Sequence, residues 1–431
     1  MKILSIETSC DETAIAIMDF DKEQKEEIKF NVLSNHILSQ INIHREFGGV
    51  FPMLAKREHA KNIVRIFEEC IKEADLFVKK ESEVENDEAK KDINLEKRNE
   101  EIFEEMKSKF DFEKVEKIRI LLEREPEMFS ELAKLFIKIE KPEIDAICVT
   151  AGPGLAPALW VGINFAKAIS IFWDIKVYPI NHMEGHIMST LVSPVNKENK
   201  SSKGEFFIKN FSSPTIALLI SGGHTEIIYF DELGKYKKIG KTVDDAVGEA
   251  FDKVARSLNL PYPGGPEISK IAEEVRNNGL KIEASEKLPR PMINSKDLNF
   301  SFSGLKTAVI YKINKLKEKN IKEEDIKNLI SLDFENACTD ILLKKIKDAI
   351  ENTNAKSLLI GGGVIANTYI RKSFSEFVLK ENIDLYIPEK FLTGDNAFMI
   401  GLAGIIHILN NEKEAHISEI KADSNFSLEN I

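Results

Sequence analysis

The stretch "NHMEGHIMS" places His182 and His186 four residues apart, two of the eight histidines in a chain of 431 residues. Pro179 ends a strand-like run just before them, and Asn181 stands where a helix N-cap belongs. Glu184 falls at the third helical position, an Asn-x-x-Glu variant of the capping box. Residues four apart share a helix face, so both imidazoles can reach one ion. The competing account is a capped helix that carries two unrelated polar histidines. In the H-E-x-x-H helices of metalloproteases, the Glu beside the first His acts as general base. Here Glu184 lies two residues on, about 200° round the helix. It is expected to point away from any ion held by the pair, and a protease is poorly supported.

An ion needs further ligands, preferably a carboxylate. Asp395, in "FLTGDNAFMIGLAG", is the best distant candidate; N-cap of the apolar helix that follows is an equal alternative. "TVDDAVGEAFDKVARSLNLPYPGGPEISKIA" reads as a helix, a Pro/Gly turn and a second helix, with Asp245, Glu249 and Asp252 on one stripe. That stripe is either a solvated face, with Asp252–Arg256 and Glu249–Lys253 as i,i+4 pairs, or a source of one carboxylate for ribose hydroxyls. "NFSFSGLKTAV" is conspicuous, yet its residue types declare no chemistry.

Three segments would position such groups. "KILSIETSCDETAIAIMDF" and "TIALLISGGHTEIIYF" each read as strand, polar turn, strand, and "KSLLIGGGVIANTYIRKSF" as a strand whose Gly run leads into a helix. Two strand–turn–strand units, one in each half, predict an internally duplicated α/β protein with a cleft between its lobes. Turns rich in Gly, Ser and Thr let backbone N–H groups approach phosphate closely. Residues 79–141 differ. They are dense in Lys and Glu, then regain apolar spacing at three and four residues, which predicts a charged helical insertion, its first part unstructured, acting as a solvated spacer. "NKENKSSKGEFFIKNFSS" reads as a surface loop.

Composition narrows the classes further. The apolar fraction is 43% and the net charge −11, which argues against coating nucleic acid by bulk charge. The first apolar run is broken by Glu7, too early for a signal peptide. "LWVGINFAKAISIFW", the most apolar window, contains Asn164 and Lys167 and fits a buried helix better than a membrane span. The four cysteines are widely scattered, so neither a disulfide framework nor a zinc ribbon is indicated. A cytoplasmic protein with no membrane association is expected.

Taken together, "ETSCDETAIAI", "GGVFPMLAKREH", "TAGPGLAPALWVGINFAKA", "NHMEGHIMS", "LLISGGHTEI", "DDAVGEAFDKVARSLNLPYPGGP", "FSFSGLKTA", "GGGVIANTYIR" and "GDNAFMIGLAG" closely resemble the bacterial TsaD family. They occur in that family's order and span nearly all of the chain except the charged insertion. The resemblance implies an actin-like ATPase and sugar-kinase fold: an N-terminal lobe over 1–178 holding the 79–141 insertion, a second lobe over 179–400, and a tail, 401–431, returning to the first. It implies an acyltransferase that moves a threonylcarbamoyl group from threonylcarbamoyl-AMP to N6 of the adenosine beside the anticodon, in tRNAs reading codons that begin with A.

By motif, the resemblance carries over His182, His186 and Asp395 as ligands of one divalent metal ion, iron as Fe2+ or else Zn2+. Leu219, Ile220, Ser221, Gly222 and Gly223 match the loop that holds phosphate and acyl groups. Asp252, Gly265 and Asn367 match nucleotide contacts, and Asp11 and Glu12 match acidic residues needed for transfer. Expected partners are tRNA, a TsaB-like paralogue and a TsaE-like ATPase. A composite surface would explain how an acidic chain handles RNA, with Lys306, Lys312, Lys315 and Lys317 as weak basic contacts. Three departures from the family pattern are the insertion, Ala156-Pro157, and "LTGDN" in place of the commoner Cys-Thr-Asp-Asn. A kinase of the same fold would not need the histidine pair, and a non-catalytic scaffold paralogue would be expected to lack it.

Overall fold

The computed structural model describes residues 1–24, 27–80, 95–279 and 287–431. The strands are β1 (Lys2–Glu7), β2 (Glu12–Phe20), β3 (Lys29–Ser39), β4 (Ala146–Gly152), β5 (Lys176–Asn181), β6 (Val192–Pro194), β7 (Gly204–Ile208), β8 (Thr215–Ile220), β9 (Thr225–Phe230), β10 (Lys237–Lys241), β11 (Ser357–Gly361) and β12 (Asp384–Tyr386). The helices are α1 (Ile41–Arg45), α2 (Pro52–Glu73), α3 (Leu95–Lys109), α4 (Phe112–Leu121), α5 (Pro126–Lys138), α6 (Ala156–Trp173), α7 (His182–Thr190), α8 (Val247–Ser257), α9 (Gly264–Asn277), α10 (Ser303–Glu318), α11 (Glu323–Thr353), α12 (Thr368–Glu381) and α13 (Ala397–Leu409).

Among the described residues the strands form two sheets, in the orders β5-β4-β1-β2-β3-β7-β6 and β10-β9-β8-β11-β12. In the first, β1 and β2 make an antiparallel hairpin while β1, β4 and β5 run parallel. In the second, β8 and β9 make the hairpin while β8, β11 and β12 run parallel. The run β3-β2-β1-β4-β5 therefore repeats as β10-β9-β8-β11-β12. That is the duplication anticipated from the two hairpins, and it agrees with the actin-like fold. The first sheet also takes in β6 and β7, so strands on both sides of position 178 belong to it. β7 lies inside the polar stretch expected to be only a surface loop; Phe206 and Ile208 are buried and bring that segment onto the sheet edge.

β1 and β8 are buried almost throughout because helices cover both faces of each sheet. Leu4 and Ile6 face a core built with α2, α5 and α6, whereas Ile3 faces another built with α7 and α13. Ile216, Leu218 and Ile220 face α8 to α12, whereas Ala217 and Leu219 join the core shared with α7 and α13. Thus α7 and α13 lie between the two sheets, and the side chains at their ends meet at the lobe junction. The tail beyond α13 returns to the first lobe, where Asp423 N–H donates to the Ala151 carbonyl and Lys167 Nζ to that of Ile420.

The insertion supplies α3, α4 and α5, so its apolar spacing is borne out; residues 81–94, within the part expected to be unstructured, lie outside the described residues. It is fastened by aromatic packing: Phe136 stacks on Phe172 at 4.0 Å, and Phe110 meets Phe172 edge-on at 4.9 Å. α6 has the length and hydropathy of a membrane span, but 67% of it is buried inside the protein. Its apolar character reflects packing against β4 and α2.

Candidate metal centre and cleft

Asn181 caps α7 as the sequence predicts, its side chain accepting from Met183 N–H at 2.9 Å and Glu184 N–H at 3.3 Å. This fixes the first turn, so His182 and His186 project from one face with ring centroids 4.8 Å apart. Asp395 arrives from the turn before α13, its Oδ1 lying 3.4 Å from His182 Nε2 and 3.2 Å from His186 Nε2. The alternative role for Asp395 is excluded, because Asn396 is the N-cap, accepting from Met399 N–H at 2.8 Å. One ligand atom from each of the three residues lies within 4.8 Å of the other two. Both ring nitrogens of His186 are buried without a hydrogen-bond partner. A buried polar group in that condition is costly unless something else satisfies it. Two imidazoles and one carboxylate are a donor set that suits a divalent transition metal, so the residues present fit such an ion.

The charges around the cluster are strongly coupled. Burial pushes the Asp395 carboxyl up, but the adjacent His182 and His186 outweigh it and hold the group well below the carboxylate range. Burial lowers His182, yet Asp395 and Glu7 raise it well above the ordinary imidazole value. His186, buried and beside His182, is lowered. An ion would displace the proton from His182, since a coordinating imidazole must be neutral.

Glu184 departs from its expected capping role. Its carboxylate turns away from the α7 N-terminus and accepts from Tyr236 Oη at 3.1 Å and His407 Nε2 at 2.7 Å. His407 Nδ1 in turn lies 2.8 Å from Glu412. Glu184 does point away from the histidine pair, as the helical geometry requires.

Asp11 closes the β1–β2 turn and Glu12 is the first residue of β2. Burial, the Asp11 charge and the Asp395 charge push Glu12 well up, and burial raises Asp11 less. Two neighbouring carboxyls of this kind hold a shared proton more tightly than either would alone. The turn is braced by His59, which is neutral because burial lowers it to about 4. His59 Nε2 donates to the Cys10 carbonyl at 3.0 Å, and its Nδ1 accepts from Thr13 Oγ1 at 2.7 Å. The "KREH" motif contains this histidine, but only its distant partners give it a role.

In the β8–β9 turn, Ser221 N–H closes on the His224 carbonyl at 2.9 Å. The Gly222 and Gly223 N–H groups have no protein acceptor among the described residues. Leu219 and Ile220 are fully buried strand residues that lead into this turn. Gly361 and Gly362 hold the neighbouring loop close. A Cβ on Gly361 would lie 2.6 Å from the His186 carbonyl oxygen, and one on Gly362, at φ +96°, would overlap the Ile220 carbonyl.

Asp252 and Gly265 come together: the Asp252 carboxylate accepts from Gly264 N–H at 2.7 Å and also from Gly265 N–H, capping α9. The expected Asp252–Arg256 pair does not form, whereas Lys253–Glu249 does, at 2.8 Å. Asp245 lies before α8 rather than on it and pairs with Lys253 at 2.7 Å. Arg256 instead donates to the Gly48 carbonyl across the cleft, and Arg45 Nε donates to the Tyr262 carbonyl at 2.9 Å from the other side. Between them is a cavity of about 310 Å³ that Asp252 and Tyr262 help to line. Asn367 caps α12 through Ile370 N–H at 2.9 Å, and its amide donates to buried Glu335 at 2.7 Å. Both ends of its side chain are thereby engaged. Asp244 explains "NFSFSG", accepting from Ser301 Oγ and the N–H groups of Phe302 and Ser303 and so starting α10. Lys312 is committed to buried Asp333 at 2.8 Å, which removes it from the candidate basic contacts.

Comparison with known proteins agrees with this geometry. A family model described as TsaD, tRNA N6-adenosine threonylcarbamoyltransferase, matches residues 31–84 and 123–402. The unmatched interval 85–122 falls within the charged insertion. Curated proteins named tRNA N6-adenosine threonylcarbamoyltransferase are similar over most of their length. The one from Thermosipho africanus is 36% identical over 94% of this chain and 93% of its own. Those from Persephonella marina and Bacillus subtilis are each 35% identical over 94% of this chain, and 89% and 90% of their own.

Proposed function

The chain belongs to the TsaD family of tRNA-modifying transferases, and on that premise we propose that it transfers a threonylcarbamoyl group from threonylcarbamoyl-AMP to N6 of the adenosine beside the anticodon. The tRNAs are those reading codons that begin with A, and AMP is released. The observation that carries the reading is the convergence of His182, His186 and Asp395 at the lobe junction, with both His186 ring nitrogens otherwise unsatisfied.

His182, His186 and Asp395 would hold the ion, Fe2+ in preference to Zn2+. When bound, a divalent metal supplies Lewis acidity that polarises an acyl oxygen. The remaining work falls to side chains and backbone. Transfer breaks the bond from the carbamoyl carbon to the phosphate oxygen, forms a C–N bond to N6, and removes one proton from that amine. Asp11 and Glu12, with raised and coupled carboxyls, are suited to accept that proton or to orient the amine. Gly222 and Gly223 offer N–H groups to the leaving phosphate. Asp252, fixed by α9, offers an oxygen to a ribose hydroxyl, and Gly265 allows close approach. Asn367, held by its bonds to Ile370 N–H and Glu335, offers its second amide N–H to the adenylate part. A TsaB-like paralogue and a TsaE-like ATPase would complete the RNA-handling surface in the cytoplasm.

The test is transfer from supplied threonylcarbamoyl-AMP to unmodified tRNA, with partner proteins added, for wild type and His182→Ala. Activity present in the first and lost in a folded variant is expected. Equal activity would make the histidines structural, and inactivity of both would favour a scaffold.

A further inference from the structure

Glu7 ends β1 with no exposed surface, and every group facing its carboxylate is a donor or must act as one. Oε1 accepts from Ser9 N–H; Oε2 accepts from Thr150 Oγ1 at 2.6 Å and lies 3.0 Å from His182 Nδ1. An ionised carboxylate has no proton to give, so Nδ1 must be the donor. The neutral ring then carries its lone pair on Nε2, the atom that faces Asp395 and His186.

We propose that Glu7 is a positioning residue that fixes the ring orientation and tautomer of His182 and so sets the affinity of the centre for a divalent cation. The inference rests on the metal-centre reading above. The location favours it over a purely structural role. Glu7 is a fully buried charge at the end of β1, and His182 is the one cationic partner it has among the described ion pairs. Burying a carboxylate merely to satisfy a hydroxyl and one N–H would be unfavourable.

Glu7→Gln discriminates because the amide cannot satisfy all three partners. If its oxygen keeps Ser9 N–H, its NH2 faces His182 Nδ1 and drives the ring proton to Nε2, where it blocks coordination. If its oxygen turns to His182, the NH2 opposes Ser9 N–H, donor against donor. Either arrangement weakens metal binding, by about 10–100-fold on the usual scale for outer partners of a ligating histidine. Ser9 Oγ, 3.2 Å from Nδ1, could take over part of the acceptor role, so Glu7→Gln/Ser9→Ala should fall further than Glu7→Gln.

The experiment is Zn2+ titration of the full chain after chelator treatment, in competition with a chromophoric chelator. It is paired with 15N–1H spectra of the histidine rings in the Zn2+-loaded protein. Expected results are one tight site in wild type, a Kd raised at least tenfold in Glu7→Gln, and a His182 ring protonated at Nδ1 with Nε2 on the metal. Equal Kd values for the two proteins would overturn the role of Glu7 while leaving the metal centre standing. No stoichiometric site in wild type would overturn both. The wild-type spectrum needs no variant to fold, and a His182 bound through Nδ1 would refute the proposal alone.

Discussion

Glu184→Ala isolates the buried anchor behind the metal helix. Glu184 is 1% exposed and joins α7 to the segment entering β10 through Tyr236 and to α13 through His407. Removing one member of a buried ion pair costs about 3–5 kcal/mol, and stranding a buried hydroxyl adds about 1–3. Glu412 keeps its contact with His407 Nδ1 but is 42% exposed, so we take about 3 kcal/mol for the whole change at low pH, the bottom of that range. The pH dependence follows from His407. Burial lowers it, but Glu184 and Glu412 outweigh burial and raise it above its ordinary value of 6.5. A raised folded-state value means the contribution is fully present below about pH 6.5 and lost as pH rises through the folded value. Urea unfolding of wild type and Glu184→Ala, both in chelator, should therefore show a stability gap of about 3 kcal/mol near pH 6 that narrows near pH 9. A gap below about 1 kcal/mol, or one that does not narrow, would refute the ion-pair account.

Burial and the charges of Asp11 and Asp395 raise Glu12, so the wild-type transfer rate should climb with pH as it ionises. In Glu12→Gln the climb should flatten, and an unchanged profile would remove Glu12 from the proton path. Gly362→Ala forces a side chain into φ +96° against the Ile220 carbonyl. It should destabilise by more than about 1 kcal/mol and lower kcat through the displaced 220–223 loop; a thermal melt and rate within error of wild type would contradict this packing. Phe136→Ala removes the ring stacked on Phe172 and set against Trp173. A loss of about 3–5 kcal/mol and early protease cleavage within 95–138 are expected, whereas late cleavage would mean the insertion is held elsewhere.

Local patterns made the hairpins, the insertion helices and the spacing of His182 and His186 legible, because each depends on residues a few positions apart. The cap at Asn181 was readable for the same reason. Partnerships between distant segments were not. Glu184 fits a capping box by spacing, but Tyr236 and His407 offer it buried donors that a helix N-terminus does not match. Asp252 seemed paired with Arg256, yet two N–H groups of α9 compete for it and win. Asp395 and Asn396 are adjacent and both able to cap, and only the fold decides which does. Glu7 did leave a trace: a charged residue that breaks the first apolar run signals a buried partner, though nothing local identifies His182.

The reciprocal arginines at the cleft mouth have a consequence for how the cavity exchanges its contents. Arg45 donates from the first lobe to the second and Arg256 from the second to the first, each to an uncharged backbone carbonyl. Each is a charge-assisted bond of about 1.5–3 kcal/mol, a modest fastening at the mouth that sits apart from the core shared between the two sheets. Because neither acceptor carries a formal charge, ionic strength has little purchase on this fastening. Contacts to an RNA backbone respond steeply to salt. Raising the salt should therefore strip a tRNA from the surface while the mouth stays shut, so that access to the cavity and RNA release answer to different conditions in the same molecule.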